Sequence, residues 1–141
     1  MTIQYTQNHR TNAMSDLITA MGSTGYLFIV SGAAPANVAT ADSGTELAAL
    51  PLSSTAGAAS GGVLTFNAIT SEGAVNTGTA GHFLIATTSV FADAAAASST
   101  TRVAQGSVGV SGSDLNFAGG VSFTSGETIG VSSFTITATG A

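Results

Sequence analysis

The sequence predicts an all-β protein, an antiparallel β-sandwich of the jelly-roll type with one short N-terminal helix and an extended N-terminal arm. From residue 25 onward, short runs rich in β-branched and aromatic residues are separated by Gly, Ser, Asn and Asp, which is typical of such sandwiches. The last of these runs, 128–138, alternates in the period of two that a strand requires. The 141 residues fit one domain, so we expect an arm over 1–12 and a single sandwich domain over 13–141.

The N-terminal region changes its pattern near residue 12. Within 1–12, Ile3 and Tyr5 alternate with polar residues, which predicts an extended segment. Over 13–21, apolar residues recur every three or four positions, which predicts a helix. The candidate signals at its ends are Asn12 or Ser15 as the N-cap and Gly22 as the stop.

Seven candidate strands follow the helix. They are the segments 26–31, 46–52, 62–69, 82–87, 102–110, 114–117 and 128–138. The segment that begins at His82 is apolar on both faces, so we expect a central strand that is covered on both sides. The buried face of 128–138 changes near Ser132, which predicts a bulge or a change of neighbouring strand. Of two stretches without a strand pattern, 33–43 and 92–101, we expect the second to be an exposed loop with one helical turn.

Charged residues are scarce, because the chain has no lysine, two arginines and seven acidic residues, for a net charge of −5. Arg10 and Arg102 cannot form the basic face that nucleic acid or an anionic membrane needs, so we expect neither partner. The longest apolar run, 26–30, is far shorter than the ~18–20 residues of a membrane-spanning helix. This run loosely mimics a secretion signal, an alternative disfavoured because Arg10 lies too far from it. With no cysteine, the chain can form no disulfide.

Motifs for catalysis and cofactor binding are missing from the sequence. A phosphate loop needs a lysine, and the glycine clusters lead into strands rather than into the helix of a dinucleotide site. Ser111 and Ser132 each lack one of the two glycines of a hydrolase elbow. His9 and His82 are too few for a zinc site, and we interpret His82 as a hydrogen-bonded histidine of a strand end or an interface. We therefore expect no enzyme, cofactor, metal or small-molecule substrate, with a glycosidase-type carboxylate pair left open.

A surface built from Gly, Ala, Ser and Thr with little charge is better suited to contact with other proteins than to a free monomer in solution. The sequence therefore favours an assembly subunit that also binds copies of itself, with a loop-rich monomer as the alternative. The candidate interface residues are Ile3, Tyr5, His9 and Arg10 of the arm. We expect the arm to reach a neighbour by adding a strand to the neighbour's sheet.

A series of short motifs runs through most of residues 12–138. In order, they are the short helix, Gly-Tyr-Leu-Phe-Ile at 25–29, Pro-Ala-Asn at 35–37, Gly-Thr-Glu-Leu-Ala at 44–48, Gly-Gly-Val at 61–63, Gly-Val-Ser-Gly-Ser-Asp-Leu-Asn at 109–116 and Val-Ser-Ser-Phe-Thr-Ile-Thr at 131–137. This order resembles small virion structural proteins of tailed bacteriophages, most closely the capsid cement or decoration proteins.

The resemblance implies a β-sandwich or jelly roll without a cofactor, bound to the major capsid protein and to copies of itself. It also implies a place on the capsid surface of the virion after synthesis in the host cytoplasm. The alternative is a tail-associated or secreted β-sandwich module for adhesion or receptor binding, which would use its loops as the binding site.

Overall fold

The computed structural model describes residues 2–141, so that Met1, the first residue of the predicted arm, lies outside the described residues. Two helices and eleven strands are present in this part of the chain. In order, they are α1 Gln7–Met21, β1 Tyr26–Ser31, β2 Glu46–Pro51, β3 Gly57–Ser60, β4 Val63–Phe66, β5 Glu72–Gly73, β6 Gly78–Ala86, α2 Phe91–Ala95, β7 Arg102–Gly109, β8 Leu115–Asn116, β9 Ser122–Phe123, β10 Thr128–Ile129 and β11 Thr135–Thr137. The protein is therefore predominantly β with a short N-terminal helix.

Helix α1 begins six residues earlier than the sequence pattern predicts. Thr6 is the N-cap, and its side-chain oxygen accepts the His9 N–H at 3.3 Å. Gly22, with a φ of +60°, ends the helix as expected. The prediction that the extended arm continues to residue 12 is wrong, because the first turns of α1 are polar and exposed and so carry no apolar periodicity. The described part of the arm is therefore 2–6.

The main sheet is mixed rather than purely antiparallel. Its strands follow the order β2-β1-β6-β7-β8, and β9 pairs with the start of β6. All pairs in this sheet are antiparallel except β7 with β8, which run parallel with Val108 opposite Leu115. The parallel pair forms because a short turn returns the chain beside β7, where the Asp114 carboxylate accepts the N–H and the hydroxyl of Ser107. The antiparallel prediction is thus incorrect at this edge.

Strand β6 occupies the centre of the main sheet, between β1 and β7. Every residue from His82 to Ala86 is buried, which confirms the prediction of a central strand covered on both sides. Apolar side chains pack on the two faces in separate clusters. The larger cluster includes Phe83 and Ile85, and the smaller cluster includes Leu84 and Ala86.

A second, three-stranded sheet has the order β11-β4-β3 and packs against the main sheet through aromatic rings. Phe134 stacks on Phe66 of β4 at 4.8 Å between ring centroids and meets Phe83 of β6 edge-on at 5.2 Å. The predicted last strand is divided: β10 pairs with β5, whereas β11 pairs with β4. This division confirms the change of neighbouring strand near Ser132.

Neither helix in residues 2–141 combines the length and the apolar character that a bilayer crossing demands.

Candidate functional site, an interaction surface

A buried polar cluster lies on β6 beneath two long loops. His82 is completely buried, and its Nε2 lies 2.6 Å from Oδ2 of Asp42. The other ring nitrogen, Nδ1, lies 2.8 Å from the carbonyl oxygen of Gly32. Because that carbonyl can only accept, Nδ1 is the donor to it, and Nε2 lies within hydrogen-bond distance of the Asp42 carboxyl group. Both nitrogens are thus engaged, as the sequence interpretation requires, but the predicted place at a strand end or an interface is wrong, because His82 lies in the middle of β6 and is completely buried.

Arg102 extends this cluster and is itself 8% exposed. Its guanidinium donates to backbone carbonyls of both loops, at 2.7 Å to Ala94 and 2.9 Å to Thr40. Gln105 adds a third link, because its amide donates to the Pro35 carbonyl at 2.8 Å. The two stretches without a strand pattern are therefore fastened to the sheet by side chains of β6 and β7.

The segment 92–101 is less exposed than predicted. It contains the expected helical turn, since α2 spans Phe91–Ala95, but Ala94 and Ala95 are buried. The Ala95 carbonyl accepts the N–H of Asp42, and the Ala39 carbonyl accepts the N–H of Ser98, both at 2.8 Å. These long-range bonds pull the segment onto the protein, which the local sequence does not reveal.

The polar cluster holds loops and presents no free acid or base. Among residues 2–141, no three His, Asp or Glu side chains come close enough together to hold a metal ion.

A cleft of about 420 Å³ lies elsewhere, between residues 116–123 and 127–133. Glu127 is the one carboxylate among the described residues that line it, and its Oε2 accepts the Thr124 N–H at 2.9 Å. The cleft thus lacks the second carboxylate of a glycosidase pair.

The four predicted interface residues divide into two groups. Ile3 and Tyr5 belong to the arm and are 70% and 47% exposed. His9 and Arg10 lie on α1 instead, which corrects their assignment to the arm. The Tyr5 ring stacks on the His9 ring at 4.9 Å, and the Tyr5 N–H donates to the Gly140 carbonyl at 2.6 Å. The structure therefore brings Tyr5 and His9 together and leaves Ile3 in solvent.

Arg10 is turned toward the protein rather than toward a neighbour. It is half-buried, and its side chain packs against Gly62 at the turn between β3 and β4. Its Nε is buried and has no hydrogen-bond partner within residues 2–141. Because Arg102 is also buried, both arginines are largely withdrawn from the surface.

The remaining exposed apolar side chains lie in turns and at strand ends. They are Val38, Val75, Val90 and Val110, each about half exposed. Sequence reasoning missed them as contact points, because three of them lie outside the predicted strands and Val110 is the last residue of one. Together with Ile3 and Tyr5, they give the surface several separate apolar contact points.

Two carboxylates have shifted pKa values. Burial raises the pKa of Glu46, at the start of β2, above its ordinary value. Hydrogen bonds from the backbone N–H and then the hydroxyl of Ser107 lower the pKa of Asp114. Neither carboxylate has a cationic partner within residues 2–141, so the exposed surface offers neutral groups and a few anions.

Comparison with known proteins finds no relative: no family model, no curated protein and no solved structure matches the chain. What the chain does is therefore inferred from its own surface.

Proposed function

We propose that the chain is a structural virion protein that decorates and cements a tailed-phage capsid by bridging subunits of the major capsid protein. The observation that carries the proposal is the surface. Arg102 is buried and Arg10 is half-buried, and separate apolar side chains are exposed between small polar residues. Such a surface suits close contact with a neutral protein lattice, since small side chains let backbones approach.

The fixed loops support a role that depends on many weak contacts. The contacts of His82 and Arg102 hold the loops 32–45 and 91–101 against the sheet. A loop that is already ordered loses little conformational entropy when it docks. On a symmetric shell, copies that bind to one another and to the shell raise the effective concentration, so each contact contributes little by itself.

The proposal includes the finer fold and the location. We place the main sheet and the β11-β4-β3 sheet as the two layers of a jelly-roll-like sandwich, supported by the packing of Phe134 between Phe66 and Phe83. The protein is made in the host cytoplasm and comes to lie on the outer capsid surface as a homo-oligomer, without a cofactor.

The direct test adds the purified chain to capsid shells that were assembled without it. We expect saturable binding at a fixed ratio to the major capsid protein, with affinity that changes little between low and moderate salt, because few charges are screened. Absence of binding to shells, or a steep loss of binding in moderate salt, would refute the proposal. Immunogold labelling confined to the tail would instead favour the adhesion or receptor-binding module.

The arm offers a second test on the same particles. Deletion of 2–5 removes Ile3 and Tyr5, with the Tyr5 contacts to His9 and Gly140, but keeps the Thr6 cap and therefore the start of α1. We expect lower occupancy on shells for the deletion and unchanged occupancy for the control Glu72→Gln, which alters an exposed polar side chain of β5 that is not one of the apolar contact points. Equal occupancy of the deletion and the intact chain would rule out an arm contact.

A further inference from the structure

A groove separates β7 of the main sheet from β11 of the second sheet. It has a volume of about 350 Å³, and its apolar lining is Leu17, Phe83, Ala104 and Ile136. A smaller hollow of about 230 Å³ shares Asp114 and Thr135 with it and continues between β8 and residues 133–135. We name the two hollows together the β7–β11 groove.

The β7 side of the groove is an unpaired strand edge. Ser107 donates its backbone N–H to Asp114 at 2.8 Å, so this N–H points away from β6. The backbone groups of alternate strand residues point the same way, which directs those of Gln105 toward the groove. Within residues 2–141 no strand pairs with Gln105 on that side, since β8 reaches only Val108 and Gly109.

The β11 side is a second unpaired edge. Phe66 of β4 donates its N–H to the Phe134 carbonyl, and the Ala138 N–H donates to the Gly62 carbonyl. Residues 134, 136 and 138 therefore face β4, and the backbone groups of Thr135 and Thr137 point away from it. These two residues line the groove and have no strand partner there within residues 2–141. Two free edges thus border one apolar groove.

The arm has the properties of a strand that fits this groove. Its residues 2–6 are outside any helix or sheet, and Thr6 has an extended backbone with a ψ of 154°. Ile3 and Tyr5 share one face and can contact the apolar floor once Tyr5 exchanges its stacking on His9 for that floor, while Gln4 faces the other way. Five residues span about 17 Å, which matches the five-residue run 133–137 along the groove.

The charges of the two surfaces also match. The segment 2–6 is uncharged, and the one charged side chain that lines the groove, Asp114, already accepts two hydrogen bonds from Ser107. An uncharged strand therefore enters the groove without leaving an ion unpaired. A basic peptide would find a single carboxylate that is already engaged.

We propose that residues 2–6 of a second copy of this chain bind in the β7–β11 groove as an added β-strand. The Tyr5 bond to Gly140 places each arm near the C-terminal end of its own β11, so a two-fold exchange can seat each arm in the other copy. Two arms and two grooves bury an area of the order of the ~1,200–2,000 Å² of stable interfaces. This dimer is independent of the capsid proposal, because it forms in the isolated protein.

Disulfide trapping tests the position of the arm, because the native chain has no cysteine. One preparation carries Gln4→Cys and a second, of different mass, carries Thr135→Cys or Thr137→Cys, all at exposed positions. After mixing and mild oxidation, we expect a mixed disulfide dimer that joins the two preparations. The control pairs Gln4→Cys with Val75→Cys, and equal yield from this pair would overturn the proposal.

Sedimentation or light scattering over a dilution series tests the contribution of the apolar face. Ile3→Asp removes one buried aliphatic side chain from each of the two arms and is expected to weaken the dimer by at least ~100-fold, whereas Val75→Asp leaves it unchanged. Both positions are exposed in the single chain, and equal melting temperatures will show that the variants fold. A chain that is monomeric at every concentration, or a dimer insensitive to Ile3→Asp, would contradict the exchange. A dimer that fails to bind shells would contradict only the capsid proposal.

Discussion

Replacing Asp42 with alanine removes the group that holds His82 in the interior of the protein. The two side chains are 1% and 0% exposed, and their contact of 2.6 Å is a short hydrogen bond. The substitution leaves Nε2 of His82 buried without a partner. It also removes the Oδ1 acceptor of the Gly44 N–H, so the loop 32–45 loses its bond to His82 and one internal hydrogen bond at once.

The cost follows from this burial. Breaking a buried pair by removing one partner costs about 3–5 kcal/mol, because the remaining polar group stays desolvated. A chain of 141 residues has an unfolding entropy near 0.3 kcal/mol/K at its midpoint, so this loss lowers the melting temperature by about 10–17 °C. The total stability of such a domain is about 5–15 kcal/mol, and Asp42→Ala therefore removes a large share of it.

Urea denaturation followed by circular dichroism measures the change directly. Asp16→Ala is the matched control, since Asp16 is exposed on α1 and the same carboxylate is deleted there. A cycle with His82→Ala and the double variant should give a coupling of more than about 1 kcal/mol between residues in contact. A loss below about 1 kcal/mol for Asp42→Ala, or additive effects in the cycle, would refute the interpretation.

Three further outcomes are expected. Burial raises the pKa of Glu46, so the free energy of unfolding falls as pH rises from the ordinary pKa of glutamate through this raised pKa. Glu46→Gln should abolish that fall, and urea titrations at pH 7 should show the variant to be at least as stable as the native chain. Hydrogen bonds lower the pKa of Asp114, so the stability that this carboxylate contributes is complete above the ordinary pKa of aspartate and disappears as pH falls through the lowered pKa. Asp114→Asn should lower the free energy of unfolding by only about 0.5–1 kcal/mol at pH 7, because solvent screens the carboxylate. In Gly81→Ala the new Cβ would overlap the Gly32 carbonyl oxygen, so thermal melting should show a loss of about 1–3 kcal/mol in the free energy of unfolding. The control Gly119→Ala has open space around its new Cβ and should melt like the native chain.

The strands that carry their own pattern were predictable from sequence. The apolar run of β1 and the two-sided apolar run of β6 lie where alternation and burial place them. The short strands β3 and β5 were missed, because Gly57–Ser60 and Glu72–Gly73 contain no large apolar residue and pair only through their backbones.

The start of α1 is a feature that the periodicity of apolar residues does not reveal. Thr6 is a favoured N-cap residue, and this signal was available in the sequence, but the exposed first turns gave no apolar stripe to mark it. The candidate interface was affected in turn, since His9 and Arg10 moved from an extended arm onto a helix. Of the four residues, only Ile3 and Tyr5 lie in the extended arm that alternation predicted, and their place in an interface stays a prediction.

The polar cluster was beyond the reach of sequence reasoning. His82 meets Asp42 across 40 positions, and Arg102 meets Thr40 across 62, so neither contact leaves a local pattern. Two isolated polar residues in a β-rich chain are ordinary on their own. Their significance appears only when the sheet brings them beneath the same loops.

The central position of β6 also has a consequence for the order in which the chain is synthesised and folds. Val30 of β1 pairs with His82 of β6, which the ribosome adds 52 residues later. At about 5–20 residues per second, β1 waits roughly 3–10 s for its main partner. During that interval its apolar side chains are uncovered, in a chain with little charge to oppose aggregation. Slower aggregation at low temperature, or a chaperone that covers β1, should therefore increase the yield of soluble protein.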